Sequence, residues 1–168
     1  LEALRSLGWL LLTCDPGVVE ELDNKAMLRD RAERLRLLQH LPTHYASPDE
    51  AVFPCLLKLA TGEYSKDAHI VRCKEEVHDI TSNGFGTTWV LQELITGRCE
   101  YSTSFLVSHG RILESIGMVY EAATVAFVWP DCEKLGKAPY NVPTEHLQVF
   151  TEFLQGFSGI CNFNYKLR

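Results

Sequence analysis

The sequence predicts an α+β protein of two lobes, each an antiparallel sheet with a helix against it. Three observations carry this reading. Apolar residues recur at helical spacing from Asp23 onward and again after Pro143. A strand–loop–strand segment lies between Phe53 and Cys73. Strand-like runs between Trp89 and Ala122 are then separated by turn residues at short spacing, as in an antiparallel meander.

Taken in order, Leu7–Leu12 reads as a short buried strand whose end, Leu10–Cys14, is closed by the turn Asp15-Pro16-Gly17. Asp23 is expected to cap a helix with Ala26, Met27, Ala32, Leu35 and Leu38 on its apolar stripe. Arg29, Arg31, Glu33 and Arg34 fall on its wet side. The helix ends before Pro42, and a loop, Leu41–Glu50, follows. Phe53–Ala60 is a strand, Thr61–Asp67 a loop and Ala68–Cys73 a second strand. Lys74–Thr81 is a short helix, and Ser82–Gly86 a glycine-bearing loop. The meander comprises Trp89–Ile95, Glu100–Ser108, a His109-Gly110 turn, and Arg111–Ala122. Phe127–Pro143, with three prolines, reads as an irregular excursion. Pro143–Gly156 is helical, with Leu147, Phe150, Phe153 and Leu154 on its apolar face. Gly159–Leu167 is a closing strand. The boundary between the lobes is expected near Gly84–Thr88. This divides the chain into 1–22, a remnant of a preceding domain or linker, a first lobe 23–86 and a second lobe 87–168.

The bulk composition narrows the function. With 46% apolar and 23% charged residues, 168 residues suffice for one domain or two small lobes. A net charge of −6 argues against non-specific nucleic-acid binding, which needs a basic face. No window approaches the roughly 20 apolar residues that span a bilayer. The six cysteines contain no CxxC pair, so free thiols in a reducing, cytoplasmic setting are expected rather than zinc or a disulfide framework. Of the six histidines, no pair at i, i+4 accompanies a carboxylate as a zinc hydrolase would need. His69 is the one expected near the cleft. Cys99 lacks a His–Asp partner, and Ser104 and Ser108 lack a GxSxG context.

The stretch WVLQELITGRCEYSTSFLVSHGRIL, residues 89–113, can line a nucleotide cleft. Its hinge backbone would read a flat purine edge, and the returning Glu100 would bind ribose hydroxyls. Lys58 is the single lysine in the apolar run FPCLLKLA, and alternation sets it on the face opposite Leu57 and Leu59. A lysine there is either a cation for phosphate oxygens or a strand lysine reaching to solvent. Lys25 stands at a helix start, where the helix dipole disfavours a cation.

Four segments together make the chain resemble the ATP-grasp superfamily. LDNKAMLRDRAERL is similar to its Asp-Lys helix start, with Lys25 in the lysine position. FPCLLKLATGEYSKDAHIV resembles its strand–Lys–loop–strand, with Lys58 as the second lysine. WVLQELITGRCEYSTSFL matches the hinge, turn and ribose acid, and GICNFNYKL the strand of the first metal ligand. The resemblance implies an ATP-binding domain of a carboxylate–amine ligase, or a related one, working through an acyl phosphate. Its partners would be ATP, Mg²⁺ and a small carboxylate. Lys25, Lys58, Gly62 and Ser65 would meet phosphates, with Lys66 as an added loop cation. Gln92 would face the adenine amino group, the backbone of Glu93 and Ile95 the purine edge, Leu94 would flank the base, and Glu100 would hold the ribose.

Two departures stand out. The phosphate loop carries one glycine where the family uses several, and the metal position is an amide, Asn164, with Asn162 two residues earlier. The strand of the principal Glu and Asn ligands would begin just after Arg168. A fragment of a longer gene product is expected, its C-terminal strands incomplete. The alternative is a catalytically silent nucleotide-binding or scaffolding domain.

Overall fold

A computed structural model of the chain describes residues 1–9, 11–61, 67–82, 85, 88–129 and 131–168. Three helices open it: α1 (Glu2–Ser6), α2 (Pro16–Asp23) and α3 (Lys25–Arg34). Among the described residues the expected first strand is absent. Leu7 is 75% exposed and Leu12 46%, and the described residues offer 11–14 no strand to pair with. The expected Asp15-Pro16-Gly17 turn is a helix start instead. The Asp15 carboxylate accepts the Gly17 N–H at 2.7 Å and Pro16 occupies the first turn, where its missing N–H costs nothing. The cap of α3 is Asn24 rather than Asp23. Its side chain accepts from the N–H groups of Ala26 and Met27 at 3.0 and 3.4 Å, and Asp23 closes the preceding helix.

The next elements are β1 (His44–Tyr45), inside the segment expected to be loop, then β2 (Cys55–Leu59), β3 (Ala68–Val71), α4 (Lys74–Thr81) and β4 (Trp89–Glu93). The four strands form one antiparallel sheet in the order β1-β4-β2-β3. Alternation sends Cys55, Leu57, Val71 and Leu91 to one face, where they pack with Val77 of α4. Leu56, Lys58, Val90 and Gln92 therefore share the opposite face.

The second sheet holds β5 (Cys99–Ser108), β6 (Arg111–Ala122), β7 (Lys134–Tyr140) and β8 (Gly159–Tyr165), in the order β7-β6-β5-β8. The helix α5 (Thr144–Phe153) lies on one face of it, where Phe105, Val107, Phe150, Leu154 and Phe157 form a buried core. The expected three-strand meander is thus split. β4 is bonded to β1 and β2 in the first sheet, so the chain crosses between sheets at 94–98 instead of 84–88. β7 corrects the irregular reading of 127–143. Pro139 is compatible with a strand here because β7 lies at the sheet edge, paired on one side only. The two strands approach closely at Gly117, opposite Tyr140, where a Cβ would collide with the Tyr140 carbonyl oxygen.

The opening helices pack with the second sheet's helix. Val18 and Leu22 of α2 join the Phe105 core, while Ala32 of α3 and Leu37 pack on Phe153. Arg31, expected on the wet face, is 6% exposed because it points into this helical junction. All six cysteines are free thiols, Cys55 buried and the others half-buried.

Candidate functional site

A cavity of about 1030 Å³ opens between the two sheets. Its size suits a ligand larger than a single metabolite fragment. Lys25 and Lys58 line it from the first strands and the opening helices. Gln92, Glu93, Leu94 and Ile95 line it where the chain leaves β4, and Glu100 and Asn164 from the second sheet. Gly62, Ser65 and Lys66 lie outside the described residues.

Lys58 follows from strand alternation. It stands opposite Val90 and Ala68 on the face away from the α4 core. Burial pushes its amine down to about 8; the nearby Lys25 ammonium adds to the drop and the Glu100 carboxylate opposes it. Lys25, the first residue of α3, donates its backbone N–H to the Ala60 carbonyl at 2.8 Å and its Nζ to the same oxygen at 3.3 Å. Burial lowers its amine as well, against the pull of Asp23. Two desolvated ammonium groups close enough to repel form a positive field at one end of the cavity.

Gln92 is buried, at 5% exposure, between His44 and Leu56 on the neighbouring strands. The Glu93 N–H, expected at a purine edge, is already given to the Thr43 carbonyl at 2.8 Å. Its carboxylate accepts the Thr43 N–H at 3.1 Å and Arg168 Nη2 at 2.6 Å. Those contacts, the Thr43 N–H above all, hold it below the usual carboxylate range. Leu94 and Ile95 are half-buried in the crossing between the sheets.

Glu100, near the start of β5, is pushed up by burial, while Lys166, an indole hydrogen bond from Trp129 and Lys58 pull it back. It therefore sits between cations on two sides. Asn162 and Asn164 share a face of β8 opposite Phe163 and Tyr165. The Asn162 Nδ2 donates to Ser102 Oγ at 3.0 Å and to Ser104 Oγ at 3.1 Å. Magnesium takes hard oxygen ligands, with carboxylates prominent. Among the described residues no group of three or more His, Cys, Asp or Glu could hold a metal ion, and Glu100 on this face is committed to lysines. The described residues therefore supply no carboxylate cluster for a magnesium ion.

His69 lies opposite Leu57, on the face away from Lys58, and its ring is 5.9 Å from Trp89. Of the histidines that line the cavity, His44 is the one paired with Gln92 across the sheet. Burial lowers its imidazole to about 4, with Lys58 and Arg29 adding and Asp30 opposing. Sequence reasoning missed His44 because β1 has only two residues and no period. It also missed Lys166, whose Nζ lies 3.6 Å from the Phe127 ring centroid. Its signal was available: Lys166 continues the alternation of Asn162 and Asn164.

No protein-family pattern matches the sequence, and no curated protein matches it by sequence. Solved structures do match in fold. D-alanine–D-alanine ligase from Bacillus anthracis gives a TM-score of 0.62 at 16% identity, over 99% of this chain and 60% of that one. L-amino acid ligase from Bacillus licheniformis gives 0.63 at 13% identity, over 97% of this chain and 41% of that one. Both are ATP-grasp enzymes.

The chain has an ATP-grasp fold.

The biotin carboxylase domain of the 2-oxoglutarate carboxylase from Hydrogenobacter thermophilus, solved with MgADP, ADP and bicarbonate, shares this ATP-grasp fold. Its TM-score is 0.56 at 17% identity, over 97% of this chain and 40% of that one. The Bacillus anthracis ligase is also known complexed with ATP, and that structure matches with a TM-score of 0.61 at 15% identity, over 99% of this chain and 59% of that one. This chain therefore spans less than two thirds of each of these enzymes.

Proposed function

We propose that these residues form the ATP-binding part of an ATP-dependent carboxylate–amine or related ligase. The observation that carries the reading is the convergence of Lys25, Lys58 and Glu100 on one cavity between two antiparallel sheets. The two ammonium groups would neutralise phosphate oxygens in a partly desolvated site, where charge-assisted hydrogen bonds are strong. Gln92 to Ile95 would hold the adenine, with the Glu93 N–H already spent on Thr43. Glu100 would accept ribose hydroxyls in competition with Lys166 and the Trp129 indole. Asn164 would be a weak metal contact at most, given its neighbours.

In the full reaction of this reading, a substrate carboxylate takes the terminal phosphoryl group and ADP leaves. An amine then displaces phosphate from the acyl phosphate. Lys25 and Lys58 would hold the transferred charge in place. The solved relatives with ATP or ADP bound support a nucleotide as the ligand.

A silent nucleotide-binding domain is the second reading, favoured by the lack of a carboxylate cluster among the described residues. Calorimetry with ATP, with and without magnesium, separates the two. Strong binding that weakens in Lys58→Ala supports the nucleotide site, and unchanged affinity removes it. Magnesium-dependent affinity and carboxylate-dependent phosphate release would favour the ligase over the silent domain.

A further inference from the structure

We propose that Arg31 is a positioning residue for the phosphate end of the cavity: by clasping α3 to the C-terminal end of α5, it sets where the Lys25 ammonium stands. The ligand in this inference rests on the nucleotide reading above; the clasp itself does not.

The helix α3 is held at two places on opposite sides of the cleft. At its first residue, Lys25 bonds the Ala60 carbonyl through N–H and Nζ. Ala60 in turn donates its N–H to the Thr88 carbonyl at 2.8 Å, so this anchor belongs to the first sheet and its margins. Six residues on, about 9 Å along the axis at 1.5 Å per residue, Arg31 makes the second anchor.

Its guanidinium donates through Nε to the Phe153 carbonyl at 2.9 Å, through Nη2 to the Gln155 carbonyl, and through Nη1 to Glu21 Oε2 at 2.7 Å. The other oxygen of Glu21 accepts Arg34 Nη2, also at 2.7 Å. The Phe153 and Gln155 carbonyls lie at the end of α5, where a helix carries partial negative charge and welcomes a cation. Ala32 and Leu37 pack on Phe153 beside the clasp.

An apolar contact alone would let α3 slide or rotate along α5. A planar fork bonded in three directions fixes register as well as distance. Lys25 stands at the far end of that rigid element, close enough to Lys58 to lower its amine. Small displacements of α3 therefore change the spacing of the two cations that the polyphosphate would meet. The clasp is costly to break, because removing Arg31 takes the donor from the buried Phe153 carbonyl, frees the Gln155 carbonyl and leaves Glu21 with Arg34 alone.

The test uses the full chain, with ATP and adenosine as probes and amine labelling of Lys25 and Lys58 followed by mass spectrometry. Arg31→Met should weaken ATP about tenfold and adenosine by less than about twofold, a coupling that should vanish in a Lys25→Ala background. The labelling rate of Lys25 should change several-fold, with a smaller change at Lys58. Arg31→Lys should be intermediate. Equal losses for ATP and adenosine, an ATP loss that persists in Lys25→Ala, or an unchanged Lys25 labelling rate would overturn the proposal. Should Arg31→Met fail to fold, Arg31→Lys and Glu21→Gln make the same comparison. A wild-type chain that binds no ATP would defeat the nucleotide reading, while the labelling comparison would still decide the role of Arg31.

Discussion

Lys25 gives both its backbone N–H and its ammonium to one oxygen, the Ala60 carbonyl, at 2.8 and 3.3 Å. That contact ties the start of α3 to the strand that carries Lys58, and it places two cations at one end of the cavity. Burial makes the Lys58 charge expensive to keep, and its consequences are measurable.

Lys58 should cost the protein stability. Its amine is about 8 in the fold against an ordinary 10.5, so the folded chain resists holding its proton. The sign follows from linkage: the penalty is full below pH 8 and disappears as pH rises from 8 to 10.5. Lys58→Met should raise stability at pH 7 by about 2 kcal/mol while abolishing ATP binding. Chemical denaturation and calorimetry on the same protein check both halves.

The same amine predicts the pH dependence of binding. ATP affinity should fall as pH rises above about 8, because the uncharged amine no longer attracts phosphate. Lys58→Arg, charged throughout this range, should flatten the profile. A wild-type profile level from pH 7 to 9.5 would mean that Lys58 does not meet the anion.

Glu100 should affect two ligands in opposite directions. Glu100→Gln should weaken adenosine about tenfold, through loss of charge-assisted bonds to the ribose. It should leave inorganic triphosphate no weaker, and somewhat tighter, since a carboxylate facing Lys58 and Lys166 is removed. Equal weakening of both ligands would place Glu100 elsewhere in the site.

His44 should make the fold acid-sensitive. Its imidazole is held at about 4 in the fold against 6.5 when free, so the unfolded chain takes up a proton first. Stability is intact above pH 6.5 and erodes between 6.5 and 4, by up to about 2 kcal/mol after allowance for its partial exposure. His44→Gln should remove that slope, as urea melts at pH 7 and pH 4.5 would show.

Gly117 offers a test of the second sheet. Gly117→Ala drives a Cβ into the Tyr140 carbonyl, a backbone atom that can yield only by opening the β6–β7 pair. A loss of about 1–3 kcal/mol is expected, read as a lower Tm.

The bounds of α4 and β6 could be read from the chain alone, since eight residues of helical pattern and twelve between turn signals carry their own periods. So could the face of Lys58, because strand alternation is local. Each described residue expected at the nucleotide lines the cavity, as does Asn164, which was expected at the metal. The short β1 was hidden by its length, and β7 by Pro139, which an interior strand would not accept but an edge strand does.

Periodicity, turn residues and helix caps are properties of neighbours in sequence, and they settled the types of α3, β2, β3, α4, β4, β5, β6, α5 and β8 and much of their extent. Partnership is not local. β4 reads as the first strand of a meander, yet it bonds β1 and β2, because sheet membership is decided by ladder hydrogen bonds between distant segments. Arg31 sits in a helix pattern that marks it as solvated, and only the arrival of the α5 carbonyls buries it. The same holds for the site: Lys25, Lys58 and Glu100 are 75 residues apart end to end (100 minus 25), and folding alone sets the distances at which their charges interact.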